Sequence, residues 1–345
     1  MKKLFLGFMA IAAMASCVKE QTVVAPEQHA ISFSEFVTNS NTKTTIDPTY
    51  SNPANKLDAF YVWGFMTSNT GEVFSKEKVW YDETLAAWTY SNLAYWAPKK
   101  TYKFAALAPV SAIDSDVAKL TLAVDEKYMT NDGALGTVAF TNENGTVDLL
   151  YATDEVTTQD VIASNPEKVQ FTFKHLLSKV KFTFTNGLSN EKNTIKVTDV
   201  KMVVPTYGSL DLTKAPLTWV VTNNATSTLE FGNVYEVNDD TFTANQLKVG
   251  QSGEVQNERL TIPVTTTSSL ISSYEVSFKV TLYNGTEEGQ TIDMTSTITD
   301  KTFEPGKCYN FTATLNANNL KLQAIEFDEP IVENWVHGAD FDFLN

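Results

Sequence analysis

Apolar and polar residues alternate with a period of two along most of the chain. Val169, Phe171 and Phe173 share one side of an extended segment, with Gln170 and Thr172 on the other. After His175-Leu176-Leu177-Ser178 the pattern resumes, with Val180, Phe182 and Phe184 set against Lys179, Lys181 and Thr183. Tyr274, Val276, Phe278, Val280 and Leu282 alternate with Glu275, Ser277, Lys279 and Thr281, and Tyr309, Phe311, Ala313 and Leu315 repeat the theme. Successive side chains of a strand point to opposite faces, so each run predicts a strand with one face in a core. Val, Thr, Phe and Tyr are abundant, as suits a pleated, half-buried surface. Asn69-Thr70-Gly71, Asn131-Asp132-Gly133, Asn144-Gly145, Asn284-Gly285 and Pro305-Gly306 punctuate the runs with residues that favour tight turns. Many short strands so separated, without convincing amphipathic helices, predict an all-β protein built of sandwiches.

The first residues break this pattern. Lys2 and Lys3 precede an apolar run from Leu4 to Met14, followed by Ala15-Ser16-Cys17. A basic start, a short apolar core and small residues describe a secretory signal, too short to span a bilayer. Because the small residues end in a cysteine, as in a bacterial lipobox, Cys17 is expected to become the lipidated first residue, and two or more acyl chains anchor firmly. Val18 to Ala30 is polar, contains a proline and lacks periodicity, as a tether would. The expected organisation is therefore a lipoprotein signal peptide over 1–16 and a lipidated tether over 17–30. An N-terminal β-sandwich over 31–175 and a C-terminal one over 176–345 follow.

Composition narrows the chemistry. Hydrophobic residues make up 43% of the chain, enough for real cores. The net charge of −15 and the single arginine, Arg259, leave no basic face for nucleic acid. Cys17 and Cys308 are the only cysteines, and with Cys17 lipidated Cys308 has no intramolecular partner. Its setting, Lys307-Cys308-Tyr309-Asn310-Phe311, reads as a packed strand position and not as a reactive thiol. His29, His175 and His337 are scattered, and no HExxH or CxxC spacing occurs, so no metal site is expected. His175 reads as a hydrogen-bonded residue at the boundary. Phosphate-binding and dinucleotide fingerprints are missing, and Ser209 lacks the second glycine of a nucleophile elbow. The expectation is a protein without cofactor or catalytic residues. Trp63, Trp80, Trp88 and Trp96, with Tyr81, Tyr90 and Tyr95, crowd one part of the first sandwich. They read as core filling, with a sugar-binding platform as the rival.

Several phrases then occur together in a fixed order. Ile31-Ser32-Phe33 and Thr42-Lys43-Thr44 open the series, followed by Phe60-Tyr61-Val62-Trp63-Gly64-Phe65, Val79-Trp80-Tyr81, Trp88-Thr89-Tyr90 and Tyr95-Trp96. Tyr102-Lys103-Phe104-Ala105-Ala106, Asp148-Leu149-Leu150-Tyr151-Ala152 and Phe171 to Val180 come next. Phe303-Glu304-Pro305-Gly306-Lys307, Ile325-Glu326-Phe327 and Val332-Glu333-Asn334-Trp335 close it. Behind a lipobox, this set resembles the fimbrillin family of Bacteroidetes, fimbrial subunits and fimbrillin-like lipoproteins. The resemblance implies two tandem transthyretin-like β-sandwiches, travel to the outer membrane as a lipoprotein, and assembly of surface pili by strand exchange. It implies other fimbrial subunits as partners in a homo- or hetero-polymer, with a host or bacterial surface ligand for adhesion. In such a mechanism a protease removes an N-terminal strand, and the terminal strand of a neighbouring subunit takes its place. Ile31, Phe33 and Phe36 are the candidate displaced strand here, and Val332, Val336, Phe341 and Phe343 the candidate donor. The best-known members are cut after an arginine, which this chain lacks before Arg259, so Lys43 is the candidate processing position. A stand-alone surface lipoprotein that binds glycan or protein is the alternative.

Overall fold

The computed structural model describes residues 29–34, 36–38, 45–46, 57, 59–67, 71–110, 120–122, 135–163, 165–221, 226–236, 246–264, 273–321, 325 and 327–334. The described residues form an all-β protein. The first half supplies β1 (Phe36–Thr38), β2 (Thr45–Ile46), β3 (Ala59–Met66), β4 (Gly71–Asp82) and β5 (Ala87–Tyr90). It continues with β6 (Thr101–Ala108), β7 (Leu120–Leu122), β8 (Thr137–Thr141), β9 (Leu150–Thr157) and β10 (Thr172–His175). The second half supplies β11 (Ser178–Asn186), β12 (Asn193–Pro205), β13 (Tyr207–Asp211), β14 (Trp219–Val220), β15 (Thr226–Gly232) and β16 (Val234–Glu236). It ends with β17 (Ser252–Val255), β18 (Arg259–Thr261), β19 (Ser273–Asn284), β20 (Glu287–Thr299), β21 (Lys307–Leu315) and β22 (Ile331–Asn334).

An eight-stranded sheet of order β2-β1-β10-β9-β6-β3-β4-β5 dominates the N-terminal half. Both of its faces are covered, which is why its central strands are almost wholly apolar. On one face Phe60, Val62, Tyr102, Phe104 and Ala106 meet Ile31, Phe33, Trp88 and Trp96. On the other, Trp63, Ala105 and Leu107 meet Val138, Phe140, Leu210, Trp219, Leu260 and Ile262. Gly64 sits where β3 slips register against β4, and a Cβ there would lie 2.9 Å from Phe74 and 3.0 Å from Phe104.

The C-terminal sandwich packs a sheet of order β16-β17-β11-β21-β22, with β18 also on β11, against a sheet of order β15-β12-β19-β20. The alternating runs read from the sequence supply its core. Val180, Phe182, Phe184, Phe311 and Ala313 face Ile195, Val197, Met202, Val276, Phe278 and Val280. β11 and β21 run parallel in register from Lys179↔Cys308 to Asn186↔Leu315.

A fourth sheet, β14-β13-β8-β7, draws strands from both halves of the sequence. β13 pairs with β8 from Tyr207↔Thr141 to Asp211↔Thr137, so backbone pairing crosses the expected division at 175/176. Further bonds tie the same region. Trp219 Nε1 donates to the Leu176 carbonyl at 2.6 Å, the Leu260 amide to Gly145 at 2.8 Å, and the Gly306 amide to Leu177 at 2.8 Å.

Candidate functional site: the N-terminal seam

The chain enters the first sandwich at His29 and runs between two backbone edges. On one side the Trp96 amide donates to the His29 carbonyl at 3.0 Å and the Ile31 amide donates to Ala94 at 2.8 Å. Ala30 stands antiparallel to Tyr95. On the other side the Val169 amide donates to Ser32 and the Ser34 amide to Val169, both at 2.9 Å, with Phe33 parallel to Val169. β1 then continues alongside β10, with Val37 opposite Thr172 and Thr38 opposite Phe173. The segment 29–34 is a seam paired along both edges, and it closes the sandwich over its aromatic core.

Two side chains lock the seam. Ile31 and Phe33 are buried, at 1% and 4% exposure. The Phe33 ring lies 5.6 Å from Phe60, 6.0 Å from Phe74, 5.8 Å from Tyr90 and 6.0 Å from Phe171, meeting Phe60 and Tyr90 edge to face. Such contacts contribute beyond simple burial. The Tyr90 hydroxyl donates to the Ile31 carbonyl at 2.7 Å, and burial pushes its pKa up to about 12. Removing the seam would open an apolar trough lined by Phe60, Phe74, Tyr90 and Phe171. It would also free the amides of Trp96 and Val169 and the carbonyls of Ala94 and Val169.

At the other terminus β22 lies on the outer edge of β21, with Val332 opposite Tyr309 and Glu333 opposite Cys308. All four of its residues are exposed, and Ile331 and Val332 retain 54% and 49% of their surface. The residues just before it are anchored more deeply. Ile325 is buried, Phe327 packs its ring 5.4 Å from Phe182, and the Asp328 amide donates to Thr312 at 2.9 Å. Lys307 Nζ donates to Asn334 Oδ1 at 2.6 Å across the strand pair.

The structure thus places Ile31 and Phe33 together in the seam, Phe36 in the adjoining β1, and Val332 on an exposed edge some distance along the fold. Cys17, Lys43, Val336, Phe341 and Phe343 lie outside the described residues. Of the seam's partners, the sequence marks Tyr90 and Trp96 only as core rings or a rival sugar platform and does not mark Ala94, while Val169 and Phe171 carry the alternation that makes the receiving edge.

The remaining candidate residues have structural settings. Trp88, Trp96 and Tyr90 are buried in one core with Trp80 and Tyr81 packed against it, and Trp63 is buried in the core on the other face, so these rings fill the interior as expected, whereas Tyr95 is exposed. His175 Nδ1 lies 2.8 Å from Asp148 Oδ2. Cys308 is a half-buried strand residue whose thiol pKa is pushed up to about 11, chiefly by burial. Nearby, Lys179 is buried with its Nζ 2.9 Å from Glu258 Oε2, and burial pulls its pKa below the usual lysine range.

The fold defines an all-β protein of packed sheets with an N-terminal strand buried in its first sandwich. The particular lineage follows from sequence: a profile of the Fimbrillin-like family matches residues 40–335, and the chain belongs to that family. Among solved structures, the fold is similar to a fimbrial protein from Bacteroides vulgatus, with 16% identity and a TM-score of 0.56. That match covers 90% of this chain and 100% of the other. It is also similar to a candidate cell adhesion protein from Bacteroides ovatus, with 15% identity and a TM-score of 0.51, covering 91% and 99%. A search of curated proteins found no match.

Proposed function

We propose that this chain is a non-enzymatic fimbrial subunit, or a fimbria-associated surface protein, that joins other subunits by β-strand exchange and supports adhesion. In this reading Cys17 carries the lipid that holds the uncut precursor at the outer membrane, exposed on the cell surface, until cleavage releases it. The observation that carries the proposal is the seam: a strand with two buried side chains, hydrogen-bonded on both edges, that leaves a ready acceptor groove if it departs. Burial of Ile31 and Phe33 is worth about 3–6 kcal/mol at ~1.5–3 kcal/mol each. An incoming strand of similar pattern recovers that term together with the backbone bonds. Cleavage at Lys43 would release 29–34 and β1 in one piece, since both lie before it in the chain. Val332, Val336, Phe341 and Phe343 are the proposed donor residues, reaching a neighbouring subunit of the same or a related kind. The burial of Trp63, Trp88 and Trp96 weighs against the stand-alone glycan-binding alternative.

The test is electron microscopy of the cell surface with and without this chain, combined with mass spectrometry of its mature N-terminus. Filaments that vanish with the chain, and a mature form beginning after residue 38, are expected. Unchanged filaments together with an N-terminus at Cys17 would overturn the role as an exchanging subunit.

A further inference from the structure

We propose that the C-terminal sandwich is built to bear tension along the chain, with β11 and β21 forming a clamp that is loaded in shear. The proposed role as one link in a surface filament supplies the source of the tension; the clamp itself rests on strand direction.

β11 is the first strand of this sandwich, β21 is the last before the exposed β22, and the two pair directly. They run parallel through eight residue pairs, from Lys179↔Cys308 to Asn186↔Leu315. Both therefore start at the same end, where the Gly306 amide donates to Leu177, and finish together at the other, where the Gly187 amide donates to Leu315 at 2.8 Å. Only Leu176 and Leu177 separate β10 from β11. Tension from the N-terminal half thus pulls β11 at its start. Tension from the C-terminal side first meets β22, which has four pairs and no buried side chain. Once β22 and the segment before it yield, or a neighbouring subunit holds them, the load reaches the finish of β21. The two forces then act in opposite directions along the strand axis. The bonds of a parallel pair are evenly spaced, so they share this load and give way together. Strands pulled apart from one end lose their bonds one after another instead.

Side chains resist the same sliding. The Phe182 and Phe311 rings stack with centroids 5.7 Å apart, and Val180, Phe184, Ala313 and Leu315 are buried around them. Displacement along the strand axis would force these groups past one another in a close-packed core. On the opposite face Thr183 Oγ1 donates to Asn310 Oδ1 at 3.0 Å and bridges the two strands. The N-terminal half repeats the arrangement, since its entering segment runs parallel to its last strand, with Phe33 beside Val169 and Val37 opposite Thr172. A strand that replaced the seam in the same direction would be loaded likewise.

The test stretches single molecules of residues 17–345, in a Cys17→Ser and Cys308→Ser background, by handles on pairs of engineered cysteines. The three positions used are exposed: Lys174 near the end of β10, Ser189 after β11 and Asn318 after β21. Lys174→Cys with Asn318→Cys loads the ladder in shear, whereas Ser189→Cys with Asn318→Cys pulls the same two strands apart from one end. Forced unfolding reads the barrier and not the equilibrium stability, and denaturant unfolding checks that the two variants are equally stable. A several-fold higher unfolding force across 174 and 318 than across 189 and 318, at one pulling speed, is expected. Equal forces, or a higher force across 189 and 318, would overturn the clamp. Isolated chains are pulled, so the result does not depend on whether strand exchange occurs.

Discussion

Phe33 shows how much a single side chain can carry. It contacts four aromatic rings and is almost fully buried, in a segment that precedes the regular strands. Phe33→Ala is expected to destabilise the protein by about 3–5 kcal/mol, measured by denaturant unfolding. Tyr90→Phe removes the hydroxyl that satisfies the Ile31 carbonyl and should lower stability by about 1–3 kcal/mol at neutral pH. It should also alter the alkaline limb. With a folded pKa of about 12 against about 10 unfolded, Tyr90 contributes stability that is whole below pH 10 and declines as pH rises toward 12. The decline should be shallower in Tyr90→Phe, as read from unfolding midpoints across that window. The apolar pair Ile31 and Phe33 was legible in the sequence because strand periodicity needs only near neighbours. The partners were not, because Tyr90 and Val169 lie 59 and 135 positions away from the residues they bond.

At the scale of elements, the two terminal strands differ in what holds them. The seam has both edges paired and both inward side chains buried, whereas β22 has one paired edge and four exposed residues. Val332→Ser is accordingly expected to change folding stability by less than about 0.5 kcal/mol, as for other exposed positions. If Val332 enters a neighbour's groove, the same substitution should weaken assembly, so comparing unfolding with polymer yield separates the two roles. Apolar alternation in the sequence marked both ends alike, because it cannot tell whether a facing sheet exists; among the described residues none buries Ile331 or Val332. The hairpin of β13 and β14 makes a similar point. Its local pattern announces strands, but only the long-range pairing with β8 shows which sheet it completes.

For the whole molecule, the shared sheet and its core join the two sandwiches. Trp219 is buried among Phe140, Leu210 and Leu177, and its indole is bonded to Leu176. Trp219→Ala should therefore cost about 3–5 kcal/mol and weaken both halves together. Fluorescence and far-ultraviolet circular dichroism should then report one coincident transition. Two separated transitions would mean that the sandwiches unfold independently. The all-β class was legible from alternation and turn residues such as Asn284-Gly285, which closes the β19–β20 hairpin with Gly285 at φ +62°. The joining of the halves was not, because residues 176–264 contribute to a core whose other members lie before residue 152.

The most direct test asks whether the seam is a removable plug. A protease site placed in the segment between β1 and β2 allows purified protein to be cut, with the released piece separated under mild denaturant and the size of the remainder followed by light scattering. Growth of the cut protein into polymers, with intact protein remaining small at the same concentration, is the predicted result. Cut protein that keeps its β-structure yet stays monomeric, or intact protein that polymerises just as fast, would contradict the role assigned to Ile31 and Phe33.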